Sequence, residues 1–286
     1  AKERIRGVYP GHRYKQKEGD VLSSDLATIG AKRTLLNIVV SAKRVYGKQM
    51  DLMIADLKNF YLNKQHKLRE PVFMSMNAKE LGDDYLREKG YDKYVAGGRL
   101  YLKVTGALYG LPTAAKISRD YCVETLAAQN FIETQIPGLG TNCDAGKPLA
   151  YAVHVDDYAV AYHDKGEAER MMRTLEDGGY TVKTDWNASR YCGLNIYHDR
   201  EREELTIFMR GAAEAACKRF GITGKARTPA DAKKPVYGAK EQFADEIDNS
   251  EVLTGADITL LQEKIGVLLY MAITLRLDIA VETGKA

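Results

Sequence analysis

Two adjacent carboxylates, Asp156 and Asp157, sit inside the run Tyr151-Ala-Val-His-Val-Asp-Asp-Tyr-Ala-Val-Ala-Tyr162. Apolar alternation on both sides predicts two short strands around an acidic turn. Holding two like charges beside an apolar hairpin is costly, because burial and mutual repulsion both disfavour joint ionisation. Cations relieve that cost. Hard divalent ions such as Mg²⁺ take carboxylate oxygens, commonly one or two side chains plus substrate phosphates. The pattern therefore points to phosphoryl chemistry at a metal. Taken alone it equally fits a hairpin whose acidic turn faces water, since Asp is a common turn residue.

A two-metal site needs a third carboxylate. Asp56 follows the apolar run Met50–Ala55 and is expected at the end of a strand, where pairing can bring carboxylates together. Asp51 is the rival, but it begins that run. The other acidic pair, Asp83-Asp84, has no strand pattern around it and reads as a solvated helix or turn. The five histidines show no metal-ligand spacing, and no serine or cysteine sits in a recognisable nucleophile signature. His154, beside the acidic pair, reads as a structural strand histidine.

The elements that must position these groups can be read coarsely. A helix is expected over about 24–46, with Ser23, Ser24 and Asp25 as capping candidates and Leu35, Ile38, Val39 and Ala42 on one face. Residues 64–95 are polar, with a helix near 78–89. A strand follows at 100–104 and a helix at 114–128. Residues 166–176 form an amphipathic helix, its Ala168, Met171, Met172 and Leu175 spaced i, i+3, i+4, i+7 toward a core. Strands near 191–197 and 205–209, a helix at 212–220, a Pro- and Gly-containing tether at 224–255 and a helix at 259–275 complete the chain. This order suggests α+β, with helices packed on an antiparallel sheet.

Apolar residues make up 45% of the 286-residue chain, enough to build a core. A net charge of +3 says little about nucleic acid, but its distribution says more. Lys2, Arg4, Arg6, Arg13, Lys15 and Lys17 stand against one acid, Glu3, with Tyr9 and Tyr14 interleaved. Such a segment either binds phosphates and stacks on bases or is a frayed terminus. Four scattered cysteines with no Cys-x-x-Cys read as reduced thiols of an intracellular protein. The most apolar late run, 265–273, falls far short of the roughly 20 residues that span a bilayer, so no membrane partner is expected. Beginning at Ala1, the chain reads as an excerpt of a longer polyprotein.

Five segments carry a resemblance. Asp56-Leu-Lys-Asn-Phe-Tyr-Leu-Asn63 resembles the Asp-Val-Lys-Thr-Ala-Phe-Leu-Asn of copia-type retrotransposon reverse transcriptases. Leu108-Tyr-Gly-Leu111 reproduces their Leu-Tyr-Gly-Leu, and His154-Val-Asp-Asp157 corresponds to their Tyr-Val-Asp-Asp. Tyr191-Cys-Gly-Leu194 is similar to Phe-Leu-Gly-Ile. Ile265-Gly-Val-Leu-Leu-Tyr270 with Asp278-Ile-Ala280 resembles Val-Gly-Ser-Leu-Leu-Tyr with Pro-Asp-Ile-Ala. The segments keep family order and approximate spacing over nearly the whole chain.

The resemblance implies a right-handed polymerase with fingers, a palm built on a ferredoxin-like sheet and a partial thumb. Residues 1–223 would be fingers and palm, 224–255 a tether, and 256–286 a thumb segment ending before a ribonuclease H domain. It implies RNA-directed DNA synthesis on an RNA or DNA template with a primer and dNTP, within a cytoplasmic particle or the nucleus. Two Mg²⁺ (or Mn²⁺) ions would be held chiefly by Asp56 and Asp156, with Asp157 supporting. Tyr61 takes the position beneath the incoming sugar. Arg4 and Arg6 take that of triphosphate-binding fingers residues, Lys183 that of a lysine near pyrophosphate, and Arg13, Lys15 and Lys17 extend the nucleic-acid contact. Thr113 stands where the family has a nucleotide-positioning Gln, His154 where it has an aromatic or apolar residue, and Phe60 where it has a small one. Those departures keep open a second reading, a catalytically inactive relic that still binds nucleic acid. A metal-dependent nuclease or phosphatase would explain the carboxylates but not the ordered flanking segments.

Overall fold

The computed structural model describes residues 8–16, 20–22, 24, 26–144, 146–228, 237–238 and 251–285. In chain order the elements are α1 (Ile29–Tyr46), β1 (Asp51–Lys58), β2 (Val72–Asn77), α2 (Asp83–Glu88), β3 (Val95–Ala96), β4 (Arg99–Val104) and α3 (Ala114–Ala127). There follow β5 (Ile132–Glu133), β6 (Leu139–Thr141), β7 (Leu149–His154), β8 (Asp157–Tyr162), α4 (Lys165–Asp177), β9 (Thr181–Asp185), β10 (Arg190–Tyr191), β11 (Leu194–Asp199), β12 (Glu204–Phe208), α5 (Arg210–Arg219), α6 (Gly255–Thr274) and α7 (Ala280–Lys285). The result is a mixed α/β architecture of antiparallel sheets and helices, consistent with the α+β expectation.

The chain divides into two compact units. One comprises Ala1–Cys192 with Ile196–Leu205, the other Gly193–Asn195 with Thr206–Ala286. In the first, the main sheet runs β5-β6-β7-β8-β1-β9, and every neighbouring pair is antiparallel. Four of its strands trace a β-α-β-β-α-β path: β1, α3, β7, β8, α4, β9, in the spatial order β7-β8-β1-β9. This is the split β-α-β layout. A smaller sheet, β2-β4-β3, arises from the segment between β1 and α3.

Side-chain alternation gives each central strand two buried faces. Met53, Ala55 and Leu57 of β1 join Tyr158 and Val160 of β8 in a cluster with Leu126 of α3 and Met171 and Leu175 of α4. Leu175 is fully buried, so Leu175→Ala should cost about 2–5 kcal/mol. On the opposite face α1 packs across β8, β7 and β6. There Ala152, Ala159 and Ala161, all fully buried, leave room for the helix. The hydroxyl of Thr28 caps α1 by accepting from the Ala31 N–H at 3.1 Å, and Gly47 closes it in the left-handed conformation at φ 69°. The expected caps at Ser23, Ser24 and Asp25 are thus displaced. Thr28 starts the helix several residues later, and Ser23 and Asp25 lie outside the described residues.

Three further expectations need correction. Asp56 does not end its strand, because pairing with β9 carries the β1 ladder on to Lys58. Residues 72–77 form a strand inside the stretch read only as polar, and residues 181–185 form another that the alternation did not reveal. The tether at 224–255 falls largely outside the described residues, as do Arg4, Arg6 and Lys17.

The second unit packs Met209, Met271 and Leu194 with Ala213, Val267 and Leu275. An ion pair between Arg219 and Glu263 joins α5 to α6 at 2.6 Å. Among the described residues no helix is long and apolar enough to cross a membrane. The four cysteines are all free thiols.

Candidate active site

The hairpin β7–β8 turns through only two residues, Val155 and Asp156, with His154 and Asp157 as the last cross-strand pair. Val155 has φ 62°. Left-handed backbone at the first turn position is ordinarily supplied by Gly, and for a β-branched residue it is an outlier that stores on the order of 1–3 kcal/mol. The Leu57 N–H donates to the Asp156 carbonyl at 2.9 Å, tying the turn to β1. The acidic pair is thus held by its own hairpin and by the neighbouring strand.

Register determines which side chains share a face. Asp56 is the Cα partner of Asp157 on one side and of Lys183 on the other, and Asp157 is the partner of His154. Directly opposed residues project to the same side. His154, Asp157, Asp56 and Lys183 therefore form one row across β7, β8, β1 and β9. Asp156 lies in the turn beside it. The partner of Asp56 across the β1–β8 ladder is Asp157, where the resemblance gave Asp156 the leading role. Asp51, the rival carboxylate, pairs instead with Arg200, and Tyr162 is its partner across the ladder.

The row is electrostatically uncomfortable without a cation. Burial pushes the Asp157 carboxyl above its ordinary range, and the charges of Asp156 and Asp56 push it further. Lys32, in the first turn of α1, and Arg190 pull it back. His154 is held below its ordinary value by burial and then by Lys32. Its Nδ1 is buried with no hydrogen-bond partner among the described residues. Neither Lys32 nor Arg190 was singled out in the sequence, which carries no local signal for either. Lys32 lies on a helix remote from the motif, and Arg190 on a two-residue strand.

Two carboxylates facing each other on one sheet face, with a third in the adjoining turn, make a donor set suited to a hard divalent ion. No group of three or more His, Cys, Asp or Glu is drawn into a metal-holding cluster among the described residues. What fits this arrangement is an ion held by one or two carboxylates and completed by substrate phosphate oxygens.

Around the row stand the other expected residues. Tyr61 lies in a 3₁₀ turn after β1, half-buried, with its ring 5.2 Å edge-on from both Phe60 and Tyr109. Burial, then the Asp156 charge, raise its hydroxyl pKa. Tyr61 is therefore electrostatically linked to the acidic turn. Phe60 is buried in the main core and stacks on Tyr180 at 6.0 Å. Gly110 explains the Leu-Tyr-Gly-Leu segment. Its φ is 81°, and a Cβ there would meet the Tyr9 carbonyl at 2.2 Å, just where Tyr9 N–H donates to Tyr109 O at 2.7 Å.

No protein-family model matches the chain, and no curated protein matches it. Among solved structures it is similar to telomerase from Candida albicans in complex with a TWJ fragment of telomeric RNA. The identity is 14% and the TM-score 0.31, covering 60% of this chain. The chain spans 33% of the length of that telomerase chain. At that level the likeness carries no argument.

The remaining sequence candidates are dispersed. Thr113 is buried beneath Tyr14 and lines a cleft of about 360 Å³ with Asp20, Lys67 and Lys116. Tyr9 is buried against Ala107, Leu111 and Ala114, so its ring is not free to stack on a base. Tyr14 donates to Asp20 at 2.7 Å, and burial followed by that carboxylate pushes its pKa up to about 12. Arg13 ends a 3₁₀ turn, and Lys15 is exposed. The sequence also gave no reason to single out His66. Its Nε2 lies 2.8 Å from the Tyr180 hydroxyl and its Nδ1 3.2 Å from the Tyr61 carbonyl.

Proposed function

We propose that this chain is an RNA-directed DNA polymerase of the copia type, transferring nucleotidyl groups from dNTP to a primer 3′-hydroxyl. The observation that carries the reading is the pairing of Asp56 with Asp157 beside a strained turn bearing Asp156. Backbone strain held at an acidic hairpin is what a positioned catalytic group requires, and a solvated turn has no use for it. The β-α-β-β-α-β path fits a palm with a ferredoxin-like sheet, the assignment for residues 1–223, with 224–255 as tether and 256–286 as thumb segment.

In this reading Asp56, Asp156 and Asp157 would share two Mg²⁺ or Mn²⁺ ions, one or two carboxylates to each, and the ions when bound would supply activation of the primer hydroxyl and charge stabilisation of the leaving pyrophosphate. Asp56 and Asp157 orient that centre from a rigid ladder. Lys183, beside Asp56, offers a positive charge to the triphosphate. Tyr61 excludes the ribose 2′-hydroxyl. Arg4 and Arg6 bind phosphate, with Thr113 near the base, while Arg13, Lys15 and Lys17 contact the template or primer. The setting is intracellular, and a ribonuclease H domain is the partner in the polyprotein.

Burial of Thr113, at the position of the family's Gln, favours a second reading: an inactive relic that binds nucleic acid. Primer extension on RNA and DNA templates with Mg²⁺ separates the two. The polymerase reading expects extension that is lost in Asp56→Asn. Template binding without extension, in Mg²⁺ and in Mn²⁺, would establish the relic.

A further inference from the structure

The small sheet has two unlike faces. Val72, Met74, Met76, Leu100 and Leu102 turn inward into two apolar clusters. The other face carries Phe73, Ser75 and Asn77 of β2 and, directly opposite them, Lys103, Tyr101 and Arg99 of β4. Phe73 is 69% exposed and Tyr101 54%. Leaving such rings in water forgoes the stabilisation that burying them would give, so their presence on this face calls for a reason.

The two rings are diagonal neighbours across the ladder, about 7–8 Å apart at the backbone. Arg99 and Lys103 flank them, both exposed. Arg99 is set in place by its Nε donating to Ser75 Oγ and its Nη2 donating to Ser75 O, each at 3.0 Å. Neither β2 nor β4 contains a carboxylate. The face is therefore aromatic, hydrogen-bonding and positive, with nothing on its two longer strands to repel an anion.

We propose that this face binds single-stranded nucleic acid, one base stacking on Phe73 and one on Tyr101, with backbone phosphates against Arg99 and Lys103. Stacking platforms bordered by cations are the physical basis of sequence-tolerant single-strand binding. A protein partner is a poorer match, because the apolar area is two separate rings in polar surroundings and not a contiguous patch. None of these residues belongs to the aspartate row. A role in guiding template rests on the polymerase reading, but binding itself does not.

The test is fluorescence anisotropy of labelled oligo-dT and oligo-rU with the full chain, in low salt with EDTA and no nucleotide. The expected result is binding by the wild type, with Kd raised at least about ten-fold in Phe73→Ala/Tyr101→Ala at unchanged melting temperature. Arg99→Glu/Lys103→Glu should weaken binding and flatten its salt dependence. Absence of wild-type binding, or an unchanged Kd in the ring variant, overturns the proposal. So does a dimer that the ring substitutions dissolve while oligonucleotide binding persists. If the ring variant does not fold, the charge-reversal variant decides alone. A chain that extends no primer yet loses binding in these variants removes the polymerase reading and keeps this one. Extension with unchanged binding does the reverse.

Discussion

Asp56 and Asp157 face each other across the β1–β8 ladder, two carboxylates on one side of a sheet with Lys183 as the next residue in the row. Antiparallel register puts like charges at one of the shortest separations a sheet allows. The pair is a cost to the fold unless a cation is held there.

That cost has a measurable sign. The folded-state pKa of Asp157 lies above its unfolded value, so its contribution to stability declines as pH rises from acid through the ordinary carboxylate range. In metal-free buffer at neutral pH, Asp157→Asn should therefore raise the melting temperature. Added Mg²⁺ should stabilise the wild type more than the variant. Extension should fall at least about 100-fold, since a metal supplies several kcal/mol and each 1.36 kcal/mol is tenfold. Differential scanning fluorimetry with and without Mg²⁺ checks the first two, and primer extension the third. A metal-free melt lower than wild type would remove the repulsion argument.

Tyr61 tests the sugar assignment. Tyr61→Val and Tyr61→Ala should incorporate ribonucleotides more readily relative to deoxynucleotides, because the 2′-hydroxyl is the group that separates them. The ring is only half-buried, so the stability loss should stay below the roughly 3–5 kcal/mol of a fully buried aromatic. Single-nucleotide extension with dNTP and rNTP, run beside a thermal melt, measures both. A folded, active variant with wild-type sugar preference would refute the gate.

Lys183→Gln removes the charge while keeping a polar side chain one atom shorter. The expected outcome is a higher KM for dNTP with little change in melting temperature, because Lys183 is exposed. Loss of a charge-assisted phosphate contact is worth roughly 1.5–3 kcal/mol, so the KM should rise by an order of magnitude or more. An unchanged KM would leave Lys183 as a solvated edge residue.

His66 predicts acid sensitivity. Its surroundings suit the neutral ring, with Nδ1–H donating to the Tyr61 carbonyl and Nε2 accepting from the Tyr180 hydroxyl. Burial lowers its folded-state pKa. As pH falls below about 6.5, the unfolded chain takes up a proton that the folded chain resists, and stability drops. The wild-type melting temperature should fall over that window, and His66→Gln should flatten the slope. A wild-type slope no steeper than the variant's would show that His66 does not titrate in the fold.

Much of the site was legible in the sequence because it rests on local patterns. Period-two alternation around Asp156-Asp157 marked the hairpin, and the 3.6-residue spacing of Met171, Met172 and Leu175 marked α4. These signals are strong wherever one chain segment buries a continuous face. What only the tertiary structure decided is the pairing between segments. β9 lies at the edge of the sheet with Thr181 and Lys183 exposed, so its weak alternation carried little signal. Its place beside Asp56 follows from α4 returning it to β1. β2 was hidden for a related reason, since Phe73 is displayed to solvent instead of the core. The left-handed Val155 and the facing of Asp56 with Asp157, not Asp156, depend on register. Register is set by how β1, β8 and β9 together bury Met53, Ala55 and Leu57, a condition shared among strands that no single stretch of sequence contains.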